Sequence, residues 1–437
     1  MRNALRPALG RTLTSAILMA GTMALLADQA SAQSIEDMQK QLETLQSQMA
    51  DLRQQMDAAK ADDAASGSDW TLKWKGAPEI ASADGAYKMK LRGRLLLDFA
   101  TGGQDRAVTG ADRLSATEVR AARLGIEGVI EHDFKYKFEA DLAGNEVELT
   151  DAYISFGGLP VDVQVGQFKT PNSLEELTSS RFTTFMERGS VTDAFELSRQ
   201  LGLSIGAEGD IWTITGGVFK GSAGTGDTDE GLTLAARATV APQFGEKGLV
   251  HLGASIRYRE QGDDQDLLRY RQRPHQHTAD RFIDTGAFAD SDLMLGAEAA
   301  VLYGPFSLQG EYMTLSADHA DPLLPDADFD GYYVSGSWFV TGESRTYEGG
   351  TFERVKVNSP VFDGGAGAWE VAARFDTVDL SDGVIVGGTQ DTYVFGVNWY
   401  LGNYVRLMAN YNKSRVKGGA DDGADIDLFG LRAQIDW

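Results

Sequence analysis

The chain has no cysteine and only 10 prolines in 437 residues. Without a thiol there is neither a disulfide framework nor thiolate catalysis. Cations are in deficit, 40 Lys and Arg against 64 Asp and Glu, for a net charge of −24. Such acidity argues against nucleic acid as a partner, because phosphate backbones need a basic footprint. Long apolar runs are also missing. After residue 32 no stretch nears the roughly 18 consecutive apolar residues that a spanning helix needs. Residence in a membrane would therefore require a closed β-barrel, the other structure that leaves no backbone polar group unpaired in lipid.

What is present falls into four segments. In residues 1–32, Arg2, Arg6 and Arg11 precede an apolar stretch, Ala16 to Leu26, and Ala30-Ser31-Ala32 matches an A-x-A cleavage site. This is the pattern of a secretory signal peptide. Over 33–60, Ile35, Met38, Leu42, Leu45, Met49, Leu52 and Met56 alternate spacings of three and four. That seam predicts a short self-associating coiled-coil helix. Residues 61–85 read as linker, and 86–437 as one large β-domain.

From residue 86 the hydrophobic period is two. In 87–99, YKMKLRGRLLLDF, one face carries Tyr87, Met89, Leu91, Leu95, Leu97 and Phe99, and the other carries Lys88, Lys90, Arg92 and Arg94. Like charges directly adjacent repel, so such a row suits a wet interior better than a packed sheet. Sixteen such segments run from 86–99 to 426–437. Turns such as Gly209-Asp210, Gly304-Pro305 and Gly402-Asn403 are tight. The intervening loops 100–116, 170–199, 220–230, 260–290, 318–329, 379–389 and 416–425 are long and acidic. One long connection, 342–366, falls on the short-turn side. An even number of strands, with short turns at one rim and long loops at the other, predicts an all-β, 16-stranded antiparallel transmembrane barrel.

Strand parity then sorts side chains into lipid-facing and lumen-facing sets. It points Lys88, Lys90, Arg92, Arg94, Arg123, Lys135, Lys137, His251, Arg257, Arg259, Arg374 and Arg406 inward. Residues 170–199 carry Leu174, Leu177, Phe182, Phe185, Met186 and Phe195, too apolar for a tip in water. The loop is expected to fold into the barrel and place Arg181, Arg188, Glu175, Glu176 and Glu187 at a constriction. Three further patterns carry less. Gly202-x-Ser204-x-Gly206 matches a nucleophile elbow but lies within a strand. Asp326 to Gly331 begins like a calcium loop, yet position twelve is Ser337. His275 and His277 read as a solvated pair in a mobile loop. No cofactor or metal site is expected.

The stretches YKMKLRGRLLLDF, LEELTSSRFTTFMERG, GLVHLGASIRYRE, GYYVSGSWFVTGESRTYE, GAWEVAARFD and FGVNWY, in this order, resemble the outer-membrane phosphate- and polyphosphate-selective porins. The resemblance implies a trimeric barrel in the outer membrane, the third loop folded inside, 342–366 bent inward, and a ladder of Arg and Lys leading anions to the constriction. It places Lys90, Arg94, Arg120, Lys135, Ser179, Ser180 and Arg181 among the pore-lining or anion-contacting residues. Two positions depart from the family pattern. Glu176 stands where a constriction lysine is expected, and Ala121 replaces a second arginine beside Arg120. A carboxylate in the constriction centre would repel phosphate. The expected function is a passive porin, not an enzyme, for small anionic solutes, with outer-membrane lipids and two further copies as partners. The alternatives are a structural envelope protein presenting the coil, or a general or cation-preferring porin.

Overall fold

The computed structural model describes residues 70–437 apart from 75, 106–112, 145 and 225–228, together with five isolated positions between 47 and 54. Those five aside, the expected signal peptide and coiled coil lie outside the described residues. The unit Thr71–Trp437 opens with two short strands, Trp70–Trp74 and Pro78–Ser82, which pair with each other. The second also pairs with the first barrel strand, Glu79 opposite Lys90. Ten residues of the stretch expected as linker are therefore in strands.

The barrel strands are β1 Lys88–Gln104, β2 Arg113–Ile130, β3 Phe134–Asp141, β4 Glu148–Phe156, β5 Asp162–Lys169, β6 Arg199–Gly209, β7 Trp212–Phe219, β8 Leu232–Val240, β9 Gly248–Glu260, β10 Ile283–Tyr303, β11 Phe306–His319, β12 Ala327–Phe339, β13 Ala368–Asp382, β14 Ile385–Gly402, β15 Val405–Lys417 and β16 Asp425–Asp436. Each pairs antiparallel with the next. β16 returns to β1, with Ile426 opposite Gln104 and Asp436 opposite Arg94, which closes the cylinder. Below that register the Trp437 amide donates to Gly93 O at 3.0 Å, and Gly93 N donates to Trp437 O at 3.3 Å. The indole lies over Gly93 so closely that a Cβ there would meet the ring at 2.1 Å.

The parity of the sequence holds on the barrel wall. Leu91, Leu97, Leu252 and Ile256 are exposed on the outside, while Arg94, Asp98, His251, Glu370 and Arg374 are buried within. Aromatic rings stack in pairs along the short-turn rim, Phe306 on Trp338 at 5.9 Å and Trp369 on Trp399 at 5.1 Å. A second row, Tyr312, Tyr332, Tyr393, Tyr411 and Phe429, lies outward nearer the loops. Two aromatic girdles around an apolar band are the outer form of a membrane barrel.

The wall is uneven in height. β3 to β8 have 8 to 11 residues each. The other ten strands have 12 to 21, β16 the fewest and β10 the most. The segment 379–389, read as a long loop, is instead a two-residue turn at Gly383-Val384 between extended β13 and β14. Beyond the lipid both faces of a strand meet water, so apolar alternation fades while the ladder continues. Likewise 260–290 contains a strand, Leu268–Gln272, paired with β10.

Candidate functional site

Residues 170–198 run inside the barrel. Two short helices, α1 Leu174–Leu177 and α2 Ser190–Ala194, shape the loop. Ser173 caps α1, its hydroxyl accepting from Glu176 N at 3.1 Å. The amides of Leu174 and Glu175 donate to the Glu311 carboxylate of β11, at 3.1 and 2.8 Å. Around the wall, Arg406 Nη1 donates to Thr183 O at 2.7 Å, Asn398 Nδ2 to Thr184 O at 2.8 Å, and Asn410 Oδ1 accepts from Met186 N at 3.2 Å. Arg432 donates to Met186 O and Gln434 to Arg181 O. Arg257 donates to Phe195 O at 3.0 Å. The apolar residues do the rest: Val191, Ala194 and Phe195 pack into one cluster with Tyr270, Met294, Met313, Phe329 and Tyr333. The loop thus packs its apolar residues on β9 to β16, and toward β1 to β8 it is met by polar contacts from Arg94, Arg120 and Lys169.

Two more segments enter the lumen. From the loop rim, 261–282 crosses to the far wall, where Gln390 donates to Arg273 O at 3.0 Å and Asn412 to His275 O at 3.1 Å. His277 Nδ1 lies 2.8 Å from Glu118 Oε2 of β2. His275 is not solvated. It is buried, its Nε2 2.7 Å from Asp376 Oδ2 and 3.3 Å from Ser190 Oγ. This is not a nucleophilic triad, because the Ser190 hydroxyl donates to Asp376 at 2.5 Å rather than to a histidine base. From the short-turn rim, 340–367 reaches the opposite wall. Tyr347 Oη lies 2.5 Å from His251 Nδ1, and Arg237 donates to Gly350 O at 2.8 Å. Phe352 N donates to Thr178 Oγ1 at 3.3 Å, so this turn also braces the constriction loop.

Two neighbouring spaces inside the barrel stand out. A vestibule of about 1260 Å³ lies under the loops, bordered by Arg120, Glu176, Glu187, Arg188, Arg199, Arg259 and Arg273 among others. Below it a chamber of about 270 Å³ is lined by Arg94, Arg123, Lys137, Lys169, Ser179, Ser180, Arg181, Arg188 and Arg199, with Asp151 its single acidic wall residue. Arg188 and Arg199 border both spaces and so mark the passage between them.

Most of the cations have partners. Arg94 meets Glu139 at 3.2 Å; Arg123 meets Asp141 at 2.7 Å and Glu139 at 3.4 Å. Lys137 and Arg199 share Asp151, at 2.6 and 2.7 Å. Lys169 and Arg188 share Glu176, each at 3.1 Å. Burial alone would raise the Glu176 carboxyl; Arg188 and Lys169 outweigh it and hold the group below the usual carboxylate range. Arg181 forms no ion pair among the described residues; its Nε donates to Ser179 Oγ at 3.1 Å and its ring neighbour is Phe182. Seven cations around the chamber face four carboxylates, Glu139, Asp141, Asp151 and Glu176, which leaves three positive charges.

The predicted residues divide accordingly. Arg94, Arg123, Lys137, Ser179, Ser180 and Arg181 meet in the chamber, and Arg120, Glu176 and Arg259 border the vestibule. Arg120 is the unpaired residue of a bulge between Leu96–Ala121 and Leu97–Val119, which lets it face inward beside Ala121 and meet Glu187 at 3.2 Å. Lys88 pairs with Glu79 and Arg92 with Glu127 near the short-turn rim. Lys90 shares that stretch of β1, and Lys135 lies exposed near the start of β3. Arg257, Arg374 and Arg406, expected along the pathway, are instead buried anchors of the constriction loop: Arg374 pairs with Glu175 and donates to Glu187 O at 3.1 Å. Glu176, expected to repel anions, is neutralised by its two cations. Sequence reasoning missed Lys169 and Arg199. They stand at the junctions of β5 and β6 with the loop, where strand parity stops being a guide.

A model of phosphate-selective porins O and P matches residues 89–437. The chain belongs to that family. The porin is 28% identical to Porin O of Pseudomonas aeruginosa over 415 residues, covering 85% of this chain and 93% of that protein. It is 32% identical to an uncharacterised protein of Caulobacter vibrioides over 385 residues, covering 84% and 77%. In fold it is similar to the anion-selective porin from Comamonas acidovorans, with a TM-score of 0.52 at 14% identity, covering 80% of this chain and all of that one. It is an outer-membrane porin, a channel rather than an enzyme in fold and family.

Proposed function

We propose that this porin passes small anions, phosphate among them, and that the chamber beneath the constriction loop is the selecting step. The observation that carries the reading is the surplus of three positive charges there, with Arg181 in no ion pair among the described residues. Local charge on the pore wall governs selectivity, whatever the sign of the whole chain. The Arg181 guanidinium and the Ser179 and Ser180 hydroxyls offer donors of the type that replaces part of an oxyanion's hydration shell. Arg94 donates to Ser180 Oγ at 2.5 Å, which orients that hydroxyl toward the chamber.

The direct test is single-channel current in planar bilayers with chloride at fixed concentration and phosphate titrated in. Phosphate is expected to reduce the chloride current in a saturable way, and Arg181→Gln to weaken that effect. A chloride current indifferent to phosphate would overturn the reading.

The uneven wall supports an oligomer. Strands of 8 or 9 residues lie at or below the lower end of the ~9–11 that cross a bilayer, and β3, β4, β5, β7 and β8 are this short. We infer that other copies of the chain, not lipid, cover this low side in a homotrimer. Charged substitutions at Phe138 or Ile154 on that face are expected to release monomers in mild detergent.

A further inference from the structure

The tall side of the barrel carries a feature that the permeation reading does not use. On β15 the lumen-facing residues Asn412, Ser414 and Val416 are buried, so the alternate residues Lys413, Arg415 and Lys417 point out of the barrel. They begin one step above Tyr411 of the loop-side aromatic row. Lys413 stands opposite Tyr393 on β14, and Tyr411 opposite Phe429 on β16. Below lies oily wall: Leu407, Phe395 and Leu431 are all exposed. A girdle of this kind sits at headgroup level in a membrane. The three cations therefore lie where outer-leaflet headgroups carry their charge, within about 14 Å of one another at ~3.4 Å per residue.

Hydrogen-bonded carboxylates hold two of them, and the third has only a long ion pair. Lys413 Nζ donates to Asp425 at 3.0 Å and to Asp427 at 3.1 Å, and Lys417 Nζ to Asp391 at 2.8 Å. Arg415 has a single carboxylate oxygen at 3.8 Å, too far for a hydrogen bond, and its side chain is 67% exposed. Among the described residues its guanidinium donates to nothing. A planar fork of five donors, held upright between two tethered lysines, suits a phosphate or carboxylate that arrives from the side.

We propose that Arg415, flanked by Lys413 and Lys417, binds the anionic headgroup of an outer-leaflet lipid whose chains lie against Phe395, Leu407 and Leu431. The full height of this wall, against the low wall of β3 to β8, favours lipid over a second copy as the occupant. Long cationic side chains that reach up from an apolar surface to charged headgroups are a known way to hold a lipid in place.

Native mass spectrometry of the purified porin tests this, with phosphatidylglycerol and phosphatidylcholine as probes. The wild type is expected to keep phosphatidylglycerol in preference to phosphatidylcholine. At roughly fivefold per basic residue, Arg415→Gln with Lys417→Gln is expected to reduce retention of phosphatidylglycerol by about thirtyfold and leave phosphatidylcholine unchanged. Arg415→Lys, which keeps the charge, is expected to stay within about fivefold of wild type. Unchanged conductance and heat-modifiable mobility identify a folded variant. Equal retention of phosphatidylglycerol by wild type and the folded double variant overturns the proposal. Displacement of the lipid by millimolar glycerol 3-phosphate would assign the site to a soluble anion instead, and dissociation of the oligomer in the double variant would assign it to a neighbouring copy.

Discussion

The Glu176 carboxylate, on the vestibule wall, lies 3.1 Å from Nε of Arg188, which borders both vestibule and chamber. Lys169 takes its other oxygen. A residue that reads in the sequence as a repulsive charge is here a counter-ion that keeps two cations in place.

Removing that counter-ion makes the passage more basic. Glu176→Gln exposes one further positive charge to a passing solute. At about 5 Å in water one unit charge is worth roughly 0.8 kcal/mol, favourable to an anion and unfavourable to a cation, so the ratio of anion to cation permeability is expected to rise by up to about fifteenfold. Reversal potentials of variant and wild type in the same salt gradient check this. No change would place Glu176 outside the ion path.

Arg374 has a different duty. It holds Glu175 and the Glu187 carbonyl, and thereby the constriction loop. Arg374→Met leaves Glu175 buried without the cation that pairs with it, a loss of about 3–5 kcal/mol. The loop is expected to leave the wall, seen as more variable and on average larger single-channel conductance. A steady wild-type conductance would show that the remaining anchors suffice without it.

Closure of the cylinder depends on Gly93. Because a Cβ there meets the Trp437 ring at 2.1 Å, Gly93→Val forces the indole off the seam at a cost of about 1–3 kcal/mol. The heat-modifiable folded band is expected to unfold at lower temperature. Gly93→Val combined with Trp437→Phe, which frees space, is expected to recover part of the loss.

Much of this is legible in the sequence, and the reason is geometric. Lipid outside and water inside force opposite chemistry onto alternate residues, so Leu91 and Leu97 against Arg94 and Asp98 declare their sides. The greasy residues Leu174, Phe185 and Phe195 likewise betray a loop that packs inward. Legibility ends where alternation ends. β13 and β14 continue past the lipid through Asp379, Ser381, Asp382 and Gly387-Gly388, which break the outward apolar alternation, and so read as a loop. Lys169 and Arg199 sit at strand ends. Parity also gives direction without partner: it sent Arg257 and Arg406 inward correctly, but not that their donors are spent on the carbonyls of Phe195 and Thr183. His275 was misread because one residue in a loop carries no sign that Asp376, about a hundred positions later, waits across the lumen.

The sign of the chamber is the claim on which the functional reading stands, and a zero-current potential across a planar bilayer with a tenfold potassium chloride gradient measures it directly. The surplus of positive charge around Arg181 predicts the polarity of a chloride-preferring channel in the wild type, reduced in Arg181→Gln. A potential of the opposite sign, with potassium the faster ion, would contradict it.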